Sequence, residues 1–493
     1  MQGFLQLYGA NRVKAGMESQ LTAMGRRLKG LSVALALAGG AWMRLWMLKA
    51  LPQVNGDTLL YGGMAKNLLL HGQFAITDGS GVVHPTLIRL PGYPLFLAAC
   101  FRVFGMENYT AVSYMQIALE LAGCLLLAAF VRRIAKLEVK EGAAQWTLWL
   151  AALCPFTAAY AVAPLTETPT LFAIALALWA LAGFRARPGW GNALAFTFAV
   201  TFAALLRPDG ALVGLALAPG LVVGRESTVP LKRLARMGAV CILLALIPFG
   251  AWTVRNWRVF HVFMPLAPRY ATDPGEPTNP GWQRWMKTWC LDFVSTNDIY
   301  WNVPGQPLDV GKLPARAFDS PAQYQETAAI AAAYADNGQD LSAEIDARFA
   351  QLAAERVKEH PLRYYVWLPL GRMADMWLRP RVENLNIDSD WWVYSNHNSE
   401  TRFSWFYAGL NGLYLLLAIV GLCFRPRYWP WMLAYVLLRS ALLTTIEAPE
   451  PRYTLECFPM VFTLAGIGVY GAWRKFPMGF ARRKRSLKGI PQA

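Results

Sequence analysis

Apolar runs long enough to cross a membrane alternate with clusters of basic residues along most of this chain. A membrane-spanning helix needs roughly 20 mainly apolar residues, and inner loops are enriched in Lys and Arg, so this alternation predicts a polytopic helical membrane protein. About ten spans result when every basic cluster stays on the inner side. Their predicted ranges are 31–51, 111–131, 144–163, 168–184, 192–206, 211–223, 238–254, 403–424, 429–446 and 453–473.

Composition agrees with this class, because hydrophobic residues make up 55 % of the chain and charged residues only 16 %. The net charge of +16 could suggest nucleic-acid binding, but the basic residues lie between apolar runs, as membrane topology requires, so we expect no nucleic acid partner. The seven cysteines show neither metal-type spacing nor a disulfide framework. The first apolar run lacks a cleavage site and is interpreted as an uncleaved anchor.

Five segments follow from this threading, with both termini in the cytoplasm. They are a cytoplasmic arm (1–30), a transmembrane core (31–254, with a first outer loop at 52–110), an extracytoplasmic or interfacial region (255–402), C-terminal transmembrane helices (403–475) and a basic cytoplasmic tail (476–493).

The two outer regions should be mostly helical. In the first outer loop, apolar spacing over 57–72 predicts a helix on the membrane surface, and 94–104 is apolar but too short to cross. In the second region, 322–359 is predicted to be helical and 361–380 interfacial. Its aromatic stripe, which is more typical of packing than of a binding site, consists of Trp282, Trp285, Trp289 and Phe293.

Two carboxylates are expected at the same depth on the outer face. Asp57 follows the first span, and Glu167 lies at the tip of the very short turn after the third span. Two such groups could act as a base and its partner, or they could hold a divalent metal. The alternative for each is a plain role as an acid at the start of a helix.

Cations gather at the same face. They are Arg89, with His84 just upstream, Arg207 after the fifth span, Arg255 at the end of the seventh, and Arg452 in the sequence Glu450-Pro451-Arg452-Tyr453. Each arginine alone could extend its charge from a helix end into water. Together they are what a phosphate-bearing lipid would need, since guanidinium binds phosphate oxygens bidentately. Two further charges, Glu120 and Arg439, lie inside spans and are expected to pair with each other.

Several short motifs in this order resemble the GT-C membrane glycosyltransferases, with the bacterial protein O-mannosyltransferase and aminoarabinose-transferase group as the nearest branch. The motifs are Asp57 after span one, the Tyr61/Ala65/Asn67/Gly72/Phe74 pattern, Arg89-Leu90-Pro91-Gly92-Tyr93-Pro94, Leu165-Thr166-Glu167 and Pro451-Arg452-Tyr453. The similarity in layout covers roughly residues 31–260 and, more loosely, 360–475.

The resemblance implies an enzyme of the bacterial inner membrane that takes a sugar from a polyprenyl-phosphate carrier at the outer face. It assigns the catalytic acid to Asp57 and an assisting acid to Glu167. Thr58 follows Asp57 where the family often has a second acid, which puts a divalent metal cofactor in doubt. Donor phosphate would be bound by Arg89, Arg207, Arg255, Arg452 and Tyr453, and further site candidates are Tyr61, His84, Tyr93 and Glu450.

The hypothesis is an inverting displacement with Asp57 as general base and a lipid, protein or glycan as the acceptor. A transporter or flippase of lipid-linked or anionic solutes is the main alternative, but such proteins usually show internal repeats and charges near the midplane. A lipid-linked-sugar ligase is a closer alternative, and a non-catalytic assembly subunit is a third. The divergent region 255–402 is where acceptor choice is expected to lie.

Overall fold

The computed structural model describes residues 28–51, 54, 56–136, 140–223, 229–385, 387–393 and 398–487. Nearly all of the predicted cytoplasmic arm and the last part of the predicted basic tail lie outside these residues. The described chain is mostly helical, and its only sheet is one two-stranded hairpin. The prediction of an all-α polytopic membrane protein is therefore confirmed.

The first span and the first outer loop form three helices and a hairpin. They are α1 (Leu28–Ala50), α2 (Gly56–His71), β1 (Ala75–Thr77), β2 (Val83–Pro85) and α3 (Gly92–Phe104). The helix expected over 57–72 is present as α2, which packs Ala65 against Tyr93 and Leu97 of α3. With 13 residues, α3 is too short to cross a bilayer unaided, as expected.

The rest of the predicted core is a series of apolar helices. They are α4 (Tyr109–Ile134), α5 (Lys140–Ala152), α6 (Pro155–Val162), α7 (Glu167–Ala186), α8 (Trp190–Leu206), α9 (Ala211–Leu217) and α10 (Leu231–Phe260). Among the described helices, six are long and apolar enough to cross a membrane. They are α1, α4, α7, α10 and the two long helices of the C-terminal part; the other predicted spans coincide with shorter helices.

The third predicted span is broken, because it consists of α5 and α6 with a turn between them. Pro155, the first residue of α6, has no backbone N–H to donate to the Ala151 carbonyl, which instead accepts a hydrogen bond from the Cys154 N–H at 3.4 Å. The next carbonyl, that of Ala152, accepts a hydrogen bond from Arg44 Nη1 of α1 at 2.6 Å. Inside a membrane such a break is tolerated only where the freed backbone groups find partners in the protein.

The region 255–402 folds around the aromatic stripe. Its helices are α11 (Pro280–Lys287), α12 (Phe293–Ser295), α13 (Pro321–Asp336), α14 (Ala343–Glu359) and α15 (Leu368–Leu378). The side chains of Trp282, Trp285 and Trp289 are almost fully buried, and both Trp282 and Trp285 contact the ring of Phe349 in α14. The packing role expected for the stripe is therefore what the structure shows.

The C-terminal part consists of α16 (Asn398–Cys423), α17 (Trp429–Leu443), a 3-10 segment (Pro451–Cys457) and α18 (Phe458–Leu487). Helix α18 packs between α16 and α5 at the centre of the bundle. Its approach to α16 depends on Gly421, where an added Cβ would lie 1.8 Å from the Leu464 carbonyl oxygen. Small residues at such crossings are typical of helices packed in membranes.

The expected pairing of Glu120 with Arg439 is wrong. Glu120 accepts a hydrogen bond from Arg44 at 2.6 Å, and both side chains are buried. Arg439 instead forms ion pairs with Asp209 at 3.0 Å and Glu456 at 2.8 Å. A charge inside a membrane span needs a partner. The apolar pattern of the sequence does not show which helices are neighbours, so it could not identify that partner.

Candidate active site

A cavity of about 560 Å³ opens where the loop between α1 and α4 and the region 255–402 meet the start of α7 and the end of α8. Its walls come from the first outer loop, the turn before α7, the turn after α8, the region 255–402 and the C-terminal part of the chain. Its charged and aromatic lining residues are Asp57, Tyr61, Arg89, Glu167, Arg207, Asp209, Arg269, Tyr300, Trp301, Glu447, Arg452 and Tyr453.

Asp57 lies in the first turn of α2, where a negative charge is favoured by the helix dipole. Its two carboxylate oxygens face different arginines, with Arg89 Nη2 at 3.4 Å from Oδ1 and Arg452 Nη2 at 3.3 Å from Oδ2. Burial alone would raise the pKa of Asp57, but the guanidinium groups of Arg452 and Arg89 outweigh it and hold the pKa below its ordinary value. Asp57 is therefore a carboxylate at neutral pH, and it could accept a proton.

Glu167 is the first residue of α7 and is almost fully buried. The turn before it is fixed by Gln116 of α4, whose Nε2 donates to the Ala163 carbonyl at 2.7 Å. Arg207 Nη1 lies 3.3 Å from Glu167 Oε1, and Arg452 Nε lies 3.8 Å from the same oxygen. Arg452 therefore contacts both predicted carboxylates, and these contacts place Asp57 and Glu167 in one site.

Arg207 is held from behind by buried acids. Its Nε lies 3.3 Å from Asp209 and 3.2 Å from Glu456, while the other face of its guanidinium lies over the ring of Tyr453, 5.3 Å from the ring centre. A guanidinium held in this way has its orientation set before any ligand binds. Arg439 completes the arrangement by contacting the same two acids from α17.

Arg452 is positioned by the 3-10 segment that precedes α18. Its Nε forms an ion pair with Glu450 at 2.6 Å, and its guanidinium lies 5.6 Å from the ring centre of Tyr453. Burial raises the pKa of Glu450 to about 7, although the nearby Arg452 guanidinium favours the ionised form. The segment itself is anchored by Arg381, whose Nη1 donates to the Pro451 carbonyl at 2.7 Å.

The structure brings most of the predicted site residues together. Asp57, Tyr61, Arg89, Glu167, Arg207, Arg452 and Tyr453 line the cavity. Glu450 lies next to it through its contact with Arg452. Tyr61 contacts the ring of Tyr93, which lies behind it and donates a hydrogen bond to Gln116 at 2.8 Å.

Besides Glu450, three predicted residues lie outside the cavity lining. Tyr93 is fully buried behind Tyr61. His84 is on the exposed hairpin, 2.7 Å from Asp78. Arg255 donates to the backbone carbonyls of Thr86 at 2.7 Å and Phe74 at 2.6 Å, so its guanidinium fastens α10 to the first outer loop. The position of Arg255 at the end of a predicted span was therefore not sufficient to predict that it binds phosphate.

Several residues of this site were not predicted from the sequence. Asp209 was given no role, although its position two residues after Arg207 was an available signal. Glu456 lies within the last predicted span, and an acid there needs a partner, which was a second signal. The cavity residues Arg269, Tyr300 and Trp301 come from the divergent region and carry no recognisable motif.

The carboxylates of the cavity are surrounded by guanidinium groups. Within the described chain, the group of three side chains with metal-ligating spacing is Asp319, Glu359 and His360, and it includes neither Asp57 nor Glu167. Asp319 itself is bound by both Nη atoms of Arg363 at 2.6 Å. The chemistry that the cavity offers is therefore a proton acceptor beside cations that can hold an anion.

The fold and the cavity define a multi-pass membrane protein with a charged site at one end of its helices. The family model of the dolichyl-phosphate-mannose-protein mannosyltransferases matches residues 83–252, which include Arg89, Glu167 and Arg207. The predicted resemblance to this family of membrane glycosyltransferases is thereby confirmed over this part of the chain.

Two solved structures of ArnT from Cupriavidus metallidurans are also similar to this chain. The apo structure is 15 % identical, with 91 % of this chain and 78 % of that chain covered and a TM-score of 0.36. The structure bound to undecaprenyl phosphate is 16 % identical, with 90 % and 77 % covered and a TM-score of 0.39. No curated protein sequence matches the chain.

Proposed function

We propose that this protein transfers a sugar from a polyprenyl-phosphate-linked donor to an acceptor at the outer face of the bacterial inner membrane. The observation that carries the proposal is the contact of Arg452 with both Asp57 and Glu167, beside Arg89 and Arg207, in one cavity. A base next to a set of cations is what the displacement of a phosphate leaving group requires.

The reaction is proposed to be a single displacement with inversion. A lone pair of the acceptor hydroxyl or amine attacks the anomeric carbon, and the bond between that carbon and the phosphate oxygen breaks. The acceptor proton passes to the Asp57 carboxylate, and the bonding electrons leave with the polyprenyl phosphate. Because the leaving group gains charge, arginines aimed at it stabilise the transition state more than the ground state.

Arg89, Arg207 and Arg452 are the proposed partners of the donor phosphate, and Tyr453 supports two of them through its ring. A phosphate that contacts Arg89 and Arg452 would take over part of their interaction with Asp57. Donor binding would thereby release the carboxylate for proton transfer. Glu167 is proposed as a positioning residue, because its contacts are to Arg207 and Arg452.

The acceptor is proposed to enter along the side of the cavity built by the region 255–402. This region contributes Arg269, Tyr300 and Trp301 to the lining, and Arg269 pairs with Glu447 at 3.0 Å at the exposed rim. Aromatic and cationic side chains at such a rim favour a polar acceptor. The lipid, protein or glycan nature of that acceptor is what the experiment below identifies.

The location of the site rests on the distribution of basic residues. The cavity that contains Asp57 and Glu167, called the carboxylate site below, lies at the ends of α7 and α8 that are remote from Arg185 and Arg187. Basic residues at the end of a span, such as these two arginines, usually remain in the cytoplasm. We therefore propose that both termini are cytoplasmic and that the cavity is extracytoplasmic. The charges that line the cavity lie at one face rather than near the midplane, where transporters usually bind their substrates, and this disfavours a transporter.

The test compares cells that make equal amounts of the wild type, Asp57→Asn or Asp336→Asn, the last being a control at an exposed acid outside the cavity. Mass spectrometry of envelope lipids, glycans and glycoproteins should show a species heavier by one sugar with the wild type and the control only. If Asp57→Asn yields the same species at wild-type levels, the assignment of Asp57 as base is wrong.

A further inference from the structure

A second cavity, of about 340 Å³, lies between α7, α8, α9 and α10. Its volume falls in the range of roughly 300–1,000 Å³ that ligand sites occupy. Its lining is almost entirely apolar and includes Phe184, Ala193, Val222, Met237, Cys241 and Ala245. This cavity is called the lower cavity below.

The lower cavity lies at the opposite end of the helices from the carboxylate site. Helix α7 begins at Glu167 and has Phe184 near its end; its 20 residues rise by roughly 30 Å at ~1.5 Å per residue. Helix α8 runs back from Ala193 in the lower cavity to Leu206 at the carboxylate site. The two cavities therefore belong to different membrane leaflets.

One wall of the lower cavity is a helix at the edge of the bundle. Only 11 % of the most apolar stretch of α10 is buried, and Leu243, Leu246 and Ile247 are exposed on the side that faces away from the bundle. Its packing within the bundle is mainly against α8. An apolar groove beside such a helix is in contact with the hydrocarbon of the bilayer, so a lipid chain can enter it from the side.

Basic residues stand at the cytoplasmic end of the same helix. Arg233, Met237, Cys241 and Ala245 follow one another at intervals of four, so Arg233 lies one turn beyond the lining residues on the same face of α10. Lys232 and Arg236 are exposed beside it. Within the described residues, none of these three basic side chains has an ion-pair or hydrogen-bond partner.

The opposite edge of this end is closed by the protein itself. Arg185 of α7 donates from Nη1 to the Val223 carbonyl at 3.0 Å, next to the lining residue Val222. This contact fixes the end of the segment that follows α9. Arg185 is therefore engaged with the backbone, whereas the three cations of α10 are exposed and can reach an external anion.

We propose that the lower cavity binds an anionic phospholipid of the cytoplasmic leaflet. One acyl chain lies between α8 and α10, and the phosphate contacts Arg233, with Lys232 and Arg236 beside it. Apolar surface beneath a basic cluster on the cytoplasmic side is the combination that recognises acidic headgroups. The proposal does not rest on glycosyl transfer, since the polyprenyl donor would bind at the other leaflet.

The proposed contact between the lipid phosphate and the cations of α10 is tested by native mass spectrometry of the purified full-length chain in detergent. Phosphatidylglycerol and phosphatidylcholine with identical acyl chains are added separately, and the occupancy of each is measured. We expect phosphatidylglycerol to be retained preferentially, and Arg233→Gln to lower its affinity roughly fivefold, the typical effect of one cation near a membrane surface. Lys136→Gln, at an exposed cation of another inner loop, is the matched control and should leave the affinity unchanged.

The proposed place of the acyl chain in the lower cavity is tested with Ala245→Phe, which fills the groove from α10. The control is Leu246→Phe, on the exposed side of the same helix. Ala245→Phe should abolish retention of the phospholipid while Leu246→Phe keeps it. Equal retention of the two headgroups, equal behaviour of the two phenylalanine variants, or displacement of phosphatidylglycerol by polyprenyl phosphate would each overturn the proposal.

Discussion

The guanidinium of Arg452 donates a hydrogen bond to the carboxylate of Asp57, which lies 395 residues earlier in the chain. This contact joins the segment before the last helix to the first outer loop. The cavity is therefore completed only when the N-terminal and C-terminal parts of the fold have packed together. It also means that the proposed base and the proposed phosphate-binding cation respond to each other directly.

Arg452→Lys tests whether the planar guanidinium matters or only its charge. Arg452 contacts Asp57 and Glu450 with different nitrogen atoms, which a single ammonium group reproduces poorly. Loss of one charge-assisted hydrogen bond to the donor phosphate should lower kcat/KM by about 10- to 100-fold, with a fall in kcat as well as a rise in donor KM, because the interaction is stronger in the transition state. Steady-state kinetics with a synthetic lipid-linked sugar provide the measurement.

Arg269→Lys is the matched control for that experiment, because Arg269 is an exposed cation at the rim of the same cavity. Its effect should not exceed about fivefold, since exposed ion pairs contribute at most about 1 kcal/mol. Equal kinetics for wild type and Arg452→Lys would remove Arg452 from the phosphate-binding set.

Asp57→Asn should separate chemistry from binding. Loss of a general base typically costs about 10²- to 10⁴-fold in rate, so kcat should fall by this factor. The substitution also removes the negative charge that Arg89 and Arg452 now face, so the affinity for an anionic donor should stay the same or increase. Donor affinity measured by calorimetry, together with single-turnover rates, distinguishes these effects; a fall in donor affinity with an unchanged rate would contradict the proposed role.

The pH dependence of donor binding should report Glu450. Burial raises its pKa to about 7, so below this pH the side chain is mostly neutral and above it the side chain is ionised. Ionised Glu450 offsets the charge of Arg452, 2.6 Å away, so the donor KM should rise as the pH increases through about 7. A donor phosphodiester keeps one charge throughout, so the donor itself does not produce this change.

Glu450→Gln should remove that pH dependence, because the amide is neutral at every pH examined. The comparison is the donor KM of wild type and variant between about pH 6 and pH 8, where a group with a pKa near 7 changes its charge. A slope that persists in the variant would assign the titration to another group. Glu326→Gln, at a half-exposed acid that does not line the cavity, controls for general effects of removing a carboxylate.

Topology explains which parts of the site the sequence could predict. Asp57, Glu167, Arg207 and Arg452 were all placed at one face because each follows or precedes an apolar span, and span ends fix depth in the membrane. The resemblance supplied the roles proposed for the two acids, and all four side chains line the cavity.

Depth alone could not predict lateral neighbours. Arg255 has the correct depth, yet its guanidinium binds the backbone of the first outer loop. The partners of Glu120 and Arg439 were likewise mistaken, because apolar periodicity contains no information on which helices pack side by side. Tyr300 and Trp301 also line the cavity. Their place there depends on how the divergent region 255–402 folds, so it could not be predicted either.

The buried pair of Arg44 and Glu120 provides the test of that corrected pairing. Removal of one partner leaves an uncompensated charge inside the bundle, which typically costs about 3–5 kcal/mol, so Arg44→Met and Glu120→Gln should each lower the thermal unfolding temperature strongly. The double variant Arg44→Met/Glu120→Gln should be more stable than Arg44→Met alone, because no unpaired charge remains. Arg439→Met/Glu120→Gln should show no such recovery, since these two residues have different partners. Thermal unfolding in detergent followed by tryptophan fluorescence measures all four variants, and Lys66→Met, at the exposed ion pair with Glu107, should shift the midpoint little.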